Sequence, residues 1–422
     1  MDFDGEKIYK CGDSLSKIYK CGEVVWSKEI DYTGMPFTLE AKSAGTITFT
    51  NTAGTATACT LQYQLNDGEW LPIFSSLNVE PGDKVRVKST INNKRYYAGV
   101  YFNAPSFRGT ALYEAYGNIM SLLDKDNFMN MTDLTTVIDN GSAFERLFYQ
   151  SDALVDAKNL ILPATKLSTA CYDWLFHEAH NLVHPPKLPA TAMTYACYNT
   201  MFYGCSSLVE APELPATTLA QNCYNAMFYD CTSLAAAPEL PATALTVGCY
   251  NSMFYGCSSL VEAPELPATA LSNNCYYMMF IGCTNLTATP ELPATTLAES
   301  CYTSMFADCK AITAAPELPA TTLAGACYMN MFQGCSSLTE PALLPALTLV
   351  EGCYSGIFYG CPIDHIICLA TDISAPRCTS MWLYSLDRGT FYKNPQMNDW
   401  AKTTLGGTSG VPYFWDIVDY EE

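Results

Sequence analysis

The repeated part of this sequence contains almost no basic residues. Residues 188–361 hold one, Lys310, against twelve acidic residues, and the 422-residue chain carries a formal charge of −20. Nucleic acids and anionic membrane surfaces both bind clustered Lys and Arg, so neither is an expected partner. The chain also lacks a run of about eighteen apolar residues, so no membrane insertion is expected.

Sequence motifs of the common enzyme classes are missing as well. The chain has no nucleophile elbow, phosphate-binding loop or dinucleotide fingerprint, so no cofactor is expected. Its prominent acidic residues belong to repeating rows, and no single pair of carboxylates stands out for glycoside hydrolysis. No apolar signal region follows Met1, which predicts that a chain starting at this methionine does not use the general secretory route.

What the sequence does contain is one phrase repeated every 26 residues. A Cys-Tyr pair occurs eight times at equal steps, and a second cysteine follows eight residues after seven of these pairs. A fixed period of this length predicts a solenoid, in which each repeat is one supersecondary unit stacked on the last. The pairs begin at Cys171, Cys197, Cys223, Cys249, Cys275, Cys301, Cys327 and Cys353.

Each repeat is expected to contain one helix and one short strand. Leu219, Cys223, Met227 and Cys231 recur every four residues, as on the buried face of a helix of roughly twelve residues. The segment that follows, residues 208–215 in one copy, ends in Pro-Glu-Leu-Pro. Proline cannot donate to a ladder, so a strand of only two or three paired residues is predicted. The predicted fold class is an α/β solenoid of leucine-rich-repeat type, preceded by a small all-β domain.

The cysteines are predicted to be buried thiols. Fifteen of the twenty lie in the repeats, at positions predicted to face the core. Cysteines eight residues apart in a helix are separated by about 12 Å, and packed helices by about 8–10 Å, whereas a disulfide needs Cα atoms within about 7 Å. Free cysteine packs as a small hydrophobe.

The regions that flank the repeats differ in composition. Residues 1–30 contain a tandem IYKCG motif, with Ile8 and Ile18 ten residues apart, which predicts two short strands and an N-terminal anchor. Residues 31–105 alternate apolar and polar residues and predict a small β-sandwich with a hairpin turn at Asn66-Asp67-Gly68. The other predicted regions are a helical N-terminal cap with a degenerate first repeat at 106–160, the solenoid at 161–386 and a C-terminal cap at 387–422. The cap helix is expected over residues 111–124.

The phrases LPATTLA, CYxxMFxGCSSL and APELPATT resemble the BspA-like leucine-rich repeats of Bacteroidales and their phages. The resemblance covers roughly residues 147–386, and it implies a curved solenoid used for surface recognition. The tandem at Ile8 and Ile18 resembles the N-terminal element of some phage tail and other virion proteins. This second resemblance implies contact with other virion proteins through residues 1–30 and a homo-oligomer, most often a trimer.

Three histidines in HEAHNLVH, namely His177, His180 and His184, are a candidate metal site, because imidazoles three residues apart can share a helix face. The arrangement is not HExxH, and no other repeat contributes a ligand. A solvated surface cluster is therefore the favoured interpretation, and no metal is assigned.

A row of glutamates beside inward-facing leucines is a second candidate. Stacked at about 4.8 Å, these carboxylates repel one another. Either they bind Ca²⁺, which prefers oxygen ligands, or they form a splayed and hydrated row, which is favoured. The row consists of Glu213, Glu239, Glu265, Glu291 and Glu317.

Comparison of the repeats predicts a ligand surface. With the Cys-Tyr cysteine at 0° and about 100° per residue, the core direction lies near 70°, whereas the second and sixth residues after the cysteine lie at about 200° and 240°. Three consecutive repeats place an asparagine and a tyrosine at these outward positions. Tyrosine rings and amides suit a glycan or glycoprotein surface, although the tyrosines could instead cover neighbouring side chains. The predicted patch is Asn199, Tyr203, Asn225, Tyr229, Asn251 and Tyr255.

These features together predict a non-enzymatic recognition or adhesion protein. The favoured interpretation is a phage virion appendage, such as a tail fibre, located in the virion and binding a glycan or protein on the host-cell surface. The alternative is a bacterial cell-surface adhesin of the BspA-like type. An enzyme acting on surface polysaccharide is the least favoured.

Overall fold

The structure is a computed structural model that describes residues 7–11, 14–20, 23–27, 30–51, 59–97, 104–139, 141–383, 388–398, 400–403 and 410–421. Near the N-terminus an antiparallel sheet has the order β1–β2–β3, with β1 at Lys7–Cys11, β2 at Ser14–Lys20 and β3 at Glu23–Ser27. Ile8 and Ile18 are register partners, so the two copies of the tandem lie on adjacent strands. The tandem predicts two strands, and β3 is an additional one.

A β-domain follows, with the alternating burial that the sequence predicts. One sheet has the order β10–β5–β8, and the other runs β11–β4–β9–β6–β7. The hairpin between β6 and β7 turns at Asn66, whose φ is 53°. The strands are β4 Thr38–Ala41, β5 Gly45–Thr50, β6 Leu61–Leu65, β7 Trp70–Pro72, β8 Ser76–Val79, β9 Lys84–Ser89, β10 Ser106–Gly109 and β11 Tyr113–Asn118.

The helix predicted over residues 111–124 is wrong. Strand β11 occupies its first half, and a short 3-10 helix, Ile119–Leu122, occupies the second. Gly117 has a φ of +83°, which an α-helix does not accommodate, and the residues before it pair with β4 instead. Two further 3-10 helices cover Phe128–Asn130 and Leu134–Thr136. No helix in the described segments is long and apolar enough to span a membrane.

Strand β11 also joins the β-domain to the solenoid. Strands β12, Leu154–Asp156, and β13, Leu160–Ile161, pair with β11 in parallel. Both strands belong to the first turn of the solenoid, and each such turn of about 26 residues is called a coil below. Phe144 stacks on Tyr172, and Phe148 on Phe176, at ring-centroid distances of 5.5 and 5.3 Å. The degenerate stretch before the first Cys-Tyr pair is therefore the first coil.

The described repeats contain no α-helix, so the predicted α/β solenoid is wrong. In place of each helix the chain forms overlapping four-residue turns, here called the turn spiral, which covers residues 195–204 in one copy. Every second N–H group donates to the carbonyl three residues earlier, as from Met201 to Tyr198 at 3.3 Å. The intervening N–H groups donate to the next coil, as from Phe202 to Met227 at 2.9 Å. Both sets of backbone donors are thus bonded, as burial requires.

The turn spiral places a residue in the left-handed region at every fourth position. The φ values are +51° at Ala196, +50° at Thr200 and +71° at Gly204, and the equivalent residues of the other copies behave alike. Glycine and aspartate tolerate this region better than most residues. The third of these positions is glycine or aspartate in all seven copies that contain the second cysteine: Gly204, Asp230, Gly256, Gly282, Asp308, Gly334 and Gly360.

A spacing of four residues is common to the helix and to the turn spiral, which explains the wrong prediction. In a helix, a row of residues four apart drifts around the axis by about 40° per step. In the turn spiral each four-residue unit repeats the last, so the row stays straight. Leu219, Cys223, Met227 and Cys231 are accordingly all buried.

The rest of each coil is extended but pairs with its neighbours only at isolated parallel bridges. Within the segment predicted as a strand, these bridges join Ala236 to Glu262 and Glu262 to Ala288, for example. The predicted short strand is thus reduced to single bridges, because the prolines of Pro-Glu-Leu-Pro remove ladder donors.

Identical side chains of successive coils stack into buried rows, as the invariance of these positions predicts. The tyrosines of the Cys-Tyr pairs stack from Tyr172 to Tyr354 at 5.6–6.0 Å. The phenylalanines stack from Phe148 to Phe358 at 5.3–5.7 Å. These rows form the core of the solenoid.

The repeat cysteines are buried free thiols, as predicted. The helical distances used to predict this are wrong, because adjacent coils are joined by backbone hydrogen bonds at a ladder spacing of about 4.8 Å. The thiol of each second cysteine donates to a phenylalanine carbonyl of the preceding coil, as from Cys231 to Phe202 at 3.1 Å. Burial raises the pKa of the thiols in the Cys-Tyr pairs, to about 11 at Cys197. The side chain of Cys11 and all of Cys21 lie outside the described part of the chain.

The C-terminal coils keep nearly the same period but pair through longer strands. Parallel strands β14 His365–Cys368, β15 Thr390–Lys393 and β18 Asp416–Asp419 form one sheet, and β16 Lys402–Thr403 pairs with β17 Val411–Pro412. Trp382, Trp400 and Trp415 are buried beneath them. The tail thus adds further coils to the solenoid, and its role as a C-terminal cap stays a prediction.

Candidate recognition surface

The three tyrosines of the predicted patch form one stacked column. The rings of Tyr203 and Tyr229 lie 4.5 Å apart at 9°, and those of Tyr229 and Tyr255 lie 4.3 Å apart at 5°. All three side chains are half-buried rather than fully outward. Because the ring faces cover one another, a ligand can reach only their edges and hydroxyl groups.

The tyrosine hydroxyls lie beside carboxylates. Burial raises the pKa of Tyr203, and the nearby Asp230 and Glu178 raise it further. Burial, reinforced by Tyr255, likewise raises the pKa of Tyr229. These hydroxyls therefore stay protonated at neutral pH and can donate hydrogen bonds as well as accept them.

The asparagines of the patch form a second column, which is hydrogen-bonded. The Asn225 amide nitrogen donates to the Asn199 amide oxygen at 2.7 Å, and the Asn199 nitrogen donates to Asp173 Oδ1 at 2.8 Å. The Asn251 oxygen accepts from the Ser252 hydroxyl at 2.7 Å. The structure thus brings all six predicted residues together on one surface of three successive coils.

Both columns extend two coils further towards the N-terminus than the sequence predicts. In the tyrosine column, the ring centroid of His177 lies 4.5 Å from that of Tyr203 and 5.2 Å from that of Tyr149. In the asparagine column, Glu145 and Asp173 occupy the equivalent positions of the first two coils. Their identities differ from those in the later repeats, so only alignment of the degenerate coils could have identified them.

The predicted surface cluster of histidines is wrong for His177, which is only 7% exposed. Its ring also contacts Trp174 at 4.2 Å, and burial lowers its pKa to about 3. His180 and His184 instead pair separately with Asp152 and Asp156, through Nδ1 at 2.8 and 2.7 Å. Within the described segments, no three His, Cys, Asp or Glu side chains are placed to hold a metal ion.

Buried charges surround the start of the asparagine column. Glu145 is fully buried, and Arg146 and Asp173 are 7% and 5% exposed. The Arg146 guanidinium lies over the rings of Trp174 and Tyr149, at 4.5 and 4.8 Å from their centroids. Sequence reasoning missed this cluster, because Arg146 and Trp174 stand at left-handed positions that smaller residues occupy in most other coils.

The predicted glutamate row lies on a grooved surface. Shallow open grooves of about 360–450 Å³ are lined by Pro-Glu-Leu-Pro of one coil and by prolines and glutamate of the next. The five glutamates are exposed. No three carboxylates of this described row are placed to hold one metal ion, and the favoured hydrated row stays a prediction.

Comparisons with known proteins give little further information. No protein-family model matches the sequence, and no curated protein matches it. Among solved structures, the chain is similar to a leucine-rich repeat protein from Bacteroides ovatus, with 14% sequence identity and a TM-score of 0.28. The likeness covers 60% of this chain and 82% of that one. A likeness at this TM-score carries no argument about function, and the BspA-like and phage assignments stay expectations.

Proposed function

We propose that this chain is a non-enzymatic recognition protein that binds a glycan or glycoprotein of a host-cell surface. The observation that carries the proposal is the pair of columns formed by asparagine and tyrosine side chains on successive coils. Their hydroxyls and amides repeat at the spacing of the coils, which suits a ligand with regularly placed polar groups. The favoured setting is a phage virion appendage, which the resemblance of the Ile8 and Ile18 tandem supports. The alternative is a BspA-like bacterial adhesin, which the resemblance of the repeats supports.

The test is to remove the hydroxyl groups and keep the stacked rings. Replacement of Tyr203, Tyr229 and Tyr255 by alanine would also delete the stacking, whereas phenylalanine retains it. The triple phenylalanine variant should lose binding of the fluorescently labelled chain to a panel of Bacteroidales cells, measured by flow cytometry. Its melting temperature should stay close to that of the original chain.

A matched control changes one exposed tyrosine that lies far along the chain from the patch. The variant Tyr413→Phe should bind cells as well as the original chain, because this side chain is 63% exposed in the C-terminal region. Full binding by the triple patch variant would refute the proposed surface. Mass spectrometry of purified phage particles would separately decide between the virion and the bacterial surface.

A further inference from the structure

The asparagine column begins with carboxylates. Successive coils place Glu145, Asp173, Asn199, Asn225 and Asn251 at the same position. An amide can present either its oxygen or its nitrogen to a neighbour, so a row of amides alone has no preferred hydrogen-bond direction. An ionised carboxylate accepts hydrogen bonds and cannot donate them. A carboxylate at one end of the row can therefore give it a direction.

The contacts of Asp173 match this role. Its Oδ1 accepts from the Asn199 amide at 2.8 Å and lies 3.4 Å from the Thr200 hydroxyl. With its nitrogen committed to Asp173, Asn199 presents its oxygen to Asn225, whose nitrogen donates at 2.7 Å. The orientation of two amides thus follows from one carboxylate.

The surroundings of Asp173 make its charge sensitive to pH. Burial raises the pKa of Asp173 to about 7, against the opposing effects of the Asn199 and Thr200 hydrogen bonds. Glu145 raises this pKa further, and Arg146 lowers it. His177, four residues further along the same coil, is neutral at this pH because burial lowers its pKa to about 3.

We propose that Asp173 is a positioning residue that fixes the order of hydrogen-bond donors and acceptors along the asparagine column, and so determines which ligand the column accepts. The second half of this proposal rests on the proposed function, since the ligand is what contacts the amides. When Asp173 is protonated, its hydroxyl can donate to the Asn199 oxygen, and both amides then turn over. No other chemical change is needed.

The first test does not depend on any ligand. The full chain is labelled with ¹⁵N-asparagine, and the side-chain amide signals of Asn199, Asn225 and Asn251 are assigned with single alanine variants. Between pH 5.5 and 8.5, the Asn199 and Asn225 signals should shift together with a midpoint near 7. Asn251 serves as an internal control, because its oxygen is held by Ser252. The variant Asp173→Asn should abolish the shifts.

Pairs of results decide the positioning role. Signals of Asn199 and Asn225 that do not change with pH would overturn it, as would shifts that persist in Asp173→Asn. The melting temperature of this variant, measured first, verifies that it folds. Shifts seen in the original chain and lost in the folded variant would support the proposal.

The second test uses Bacteroidales cells as the probe. Cell binding by the original chain should change about five-fold or more between pH 6 and 8, in the range typical of coupled equilibria. Binding by Asp173→Asn should be independent of pH over this range. Binding by the original chain that ignores pH would overturn the specificity role. If the original chain binds no cells at any pH, the proposed function fails, and the amide titration alone decides the positioning role.

Discussion

Gly282→Ala tests whether the repeats form a turn spiral or a helix, because the two structures predict opposite signs. In a helix interior, replacing glycine by alanine stabilises by about 1 kcal/mol. Gly282 has a φ of +71°, where a Cβ atom costs about 1–2 kcal/mol. The lower entropy of the unfolded chain returns about 0.4–1 kcal/mol. The expected result is therefore a net destabilisation of about 1 kcal/mol.

Steric conflict does not contribute at this position, since the nearest atom to a Cβ at Gly282 would be the Gly256 Cα at 3.9 Å. Gly360 is equally open, with its nearest atoms also at 3.9 Å and a φ of +75°. The two sites are three coils apart, so their effects should add to about 2 kcal/mol in the double variant.

The assay is equilibrium denaturation, followed by circular dichroism. The midpoint should fall without a change in slope. Gly325→Ala is the matched control: its φ is not positive, and its Cβ would lie 3.9 Å from the nearest atom. This control should be neutral or slightly stabilising. A midpoint that rises in Gly282→Ala would refute the turn spiral.

Three further predictions concern titration, the thiols and the anchor. Burial raises the pKa of Asp173 to about 7, so the contribution of Asp173 makes the free energy of unfolding fall as the pH rises from about 4 to 7. Burial lowers the pKa of His177 to about 3, so the contribution of His177 makes the free energy of unfolding rise as the pH rises from about 3 to 6.5. In the variant His177→Gln, stability should therefore fall with rising pH, and in Asp173→Asn it should rise, each by up to about 1.4 kcal/mol per pH unit. Stability that depends on pH in the same way in both variants would contradict this. A thiol reagent should find most cysteines free under denaturing, non-reducing conditions and few reactive in the native chain; fewer than half reacting after denaturation would contradict the unbridged core. Deletion of residues 1–30 should leave a folded chain that no longer joins its assembly, and normal incorporation would count against the anchor.

Periodicity was enough to predict the solenoid and its core. The equal steps of 26 residues and the invariant Cys223, Tyr224 and Phe228 identify positions that are indeed buried. The local conformation was not predicted, because residues four apart align in a helix and in a turn spiral alike. Gly204 and Asp230 at one repeated position were the available signal, since few other residues adopt a positive φ without cost.

The candidate surface was predicted in part. Asn199 and Tyr203 belong to real columns, but the angles assigned to them assume a helix and place them too far outward. The tyrosine rings stack on those of the neighbouring coils, which is the alternative that the comparison of repeats left open, and this stacking leaves them half-buried. Asp173 was missed as a column member, because it differs from the asparagine that later repeats place there.

Each turn spiral bonds only to the coil before it and the coil after it, as Thr200 does with Asn225 at 2.8 Å. A whole coil can therefore be added or removed without leaving an unpaired edge inside the array. An added copy of an asparagine- and tyrosine-bearing coil would lengthen both columns by one residue and keep their lateral spacing. On the proposed function, the number of such coils would set the number of repeated contacts with the ligand, and with it the avidity, without changing the chemistry of any single coil.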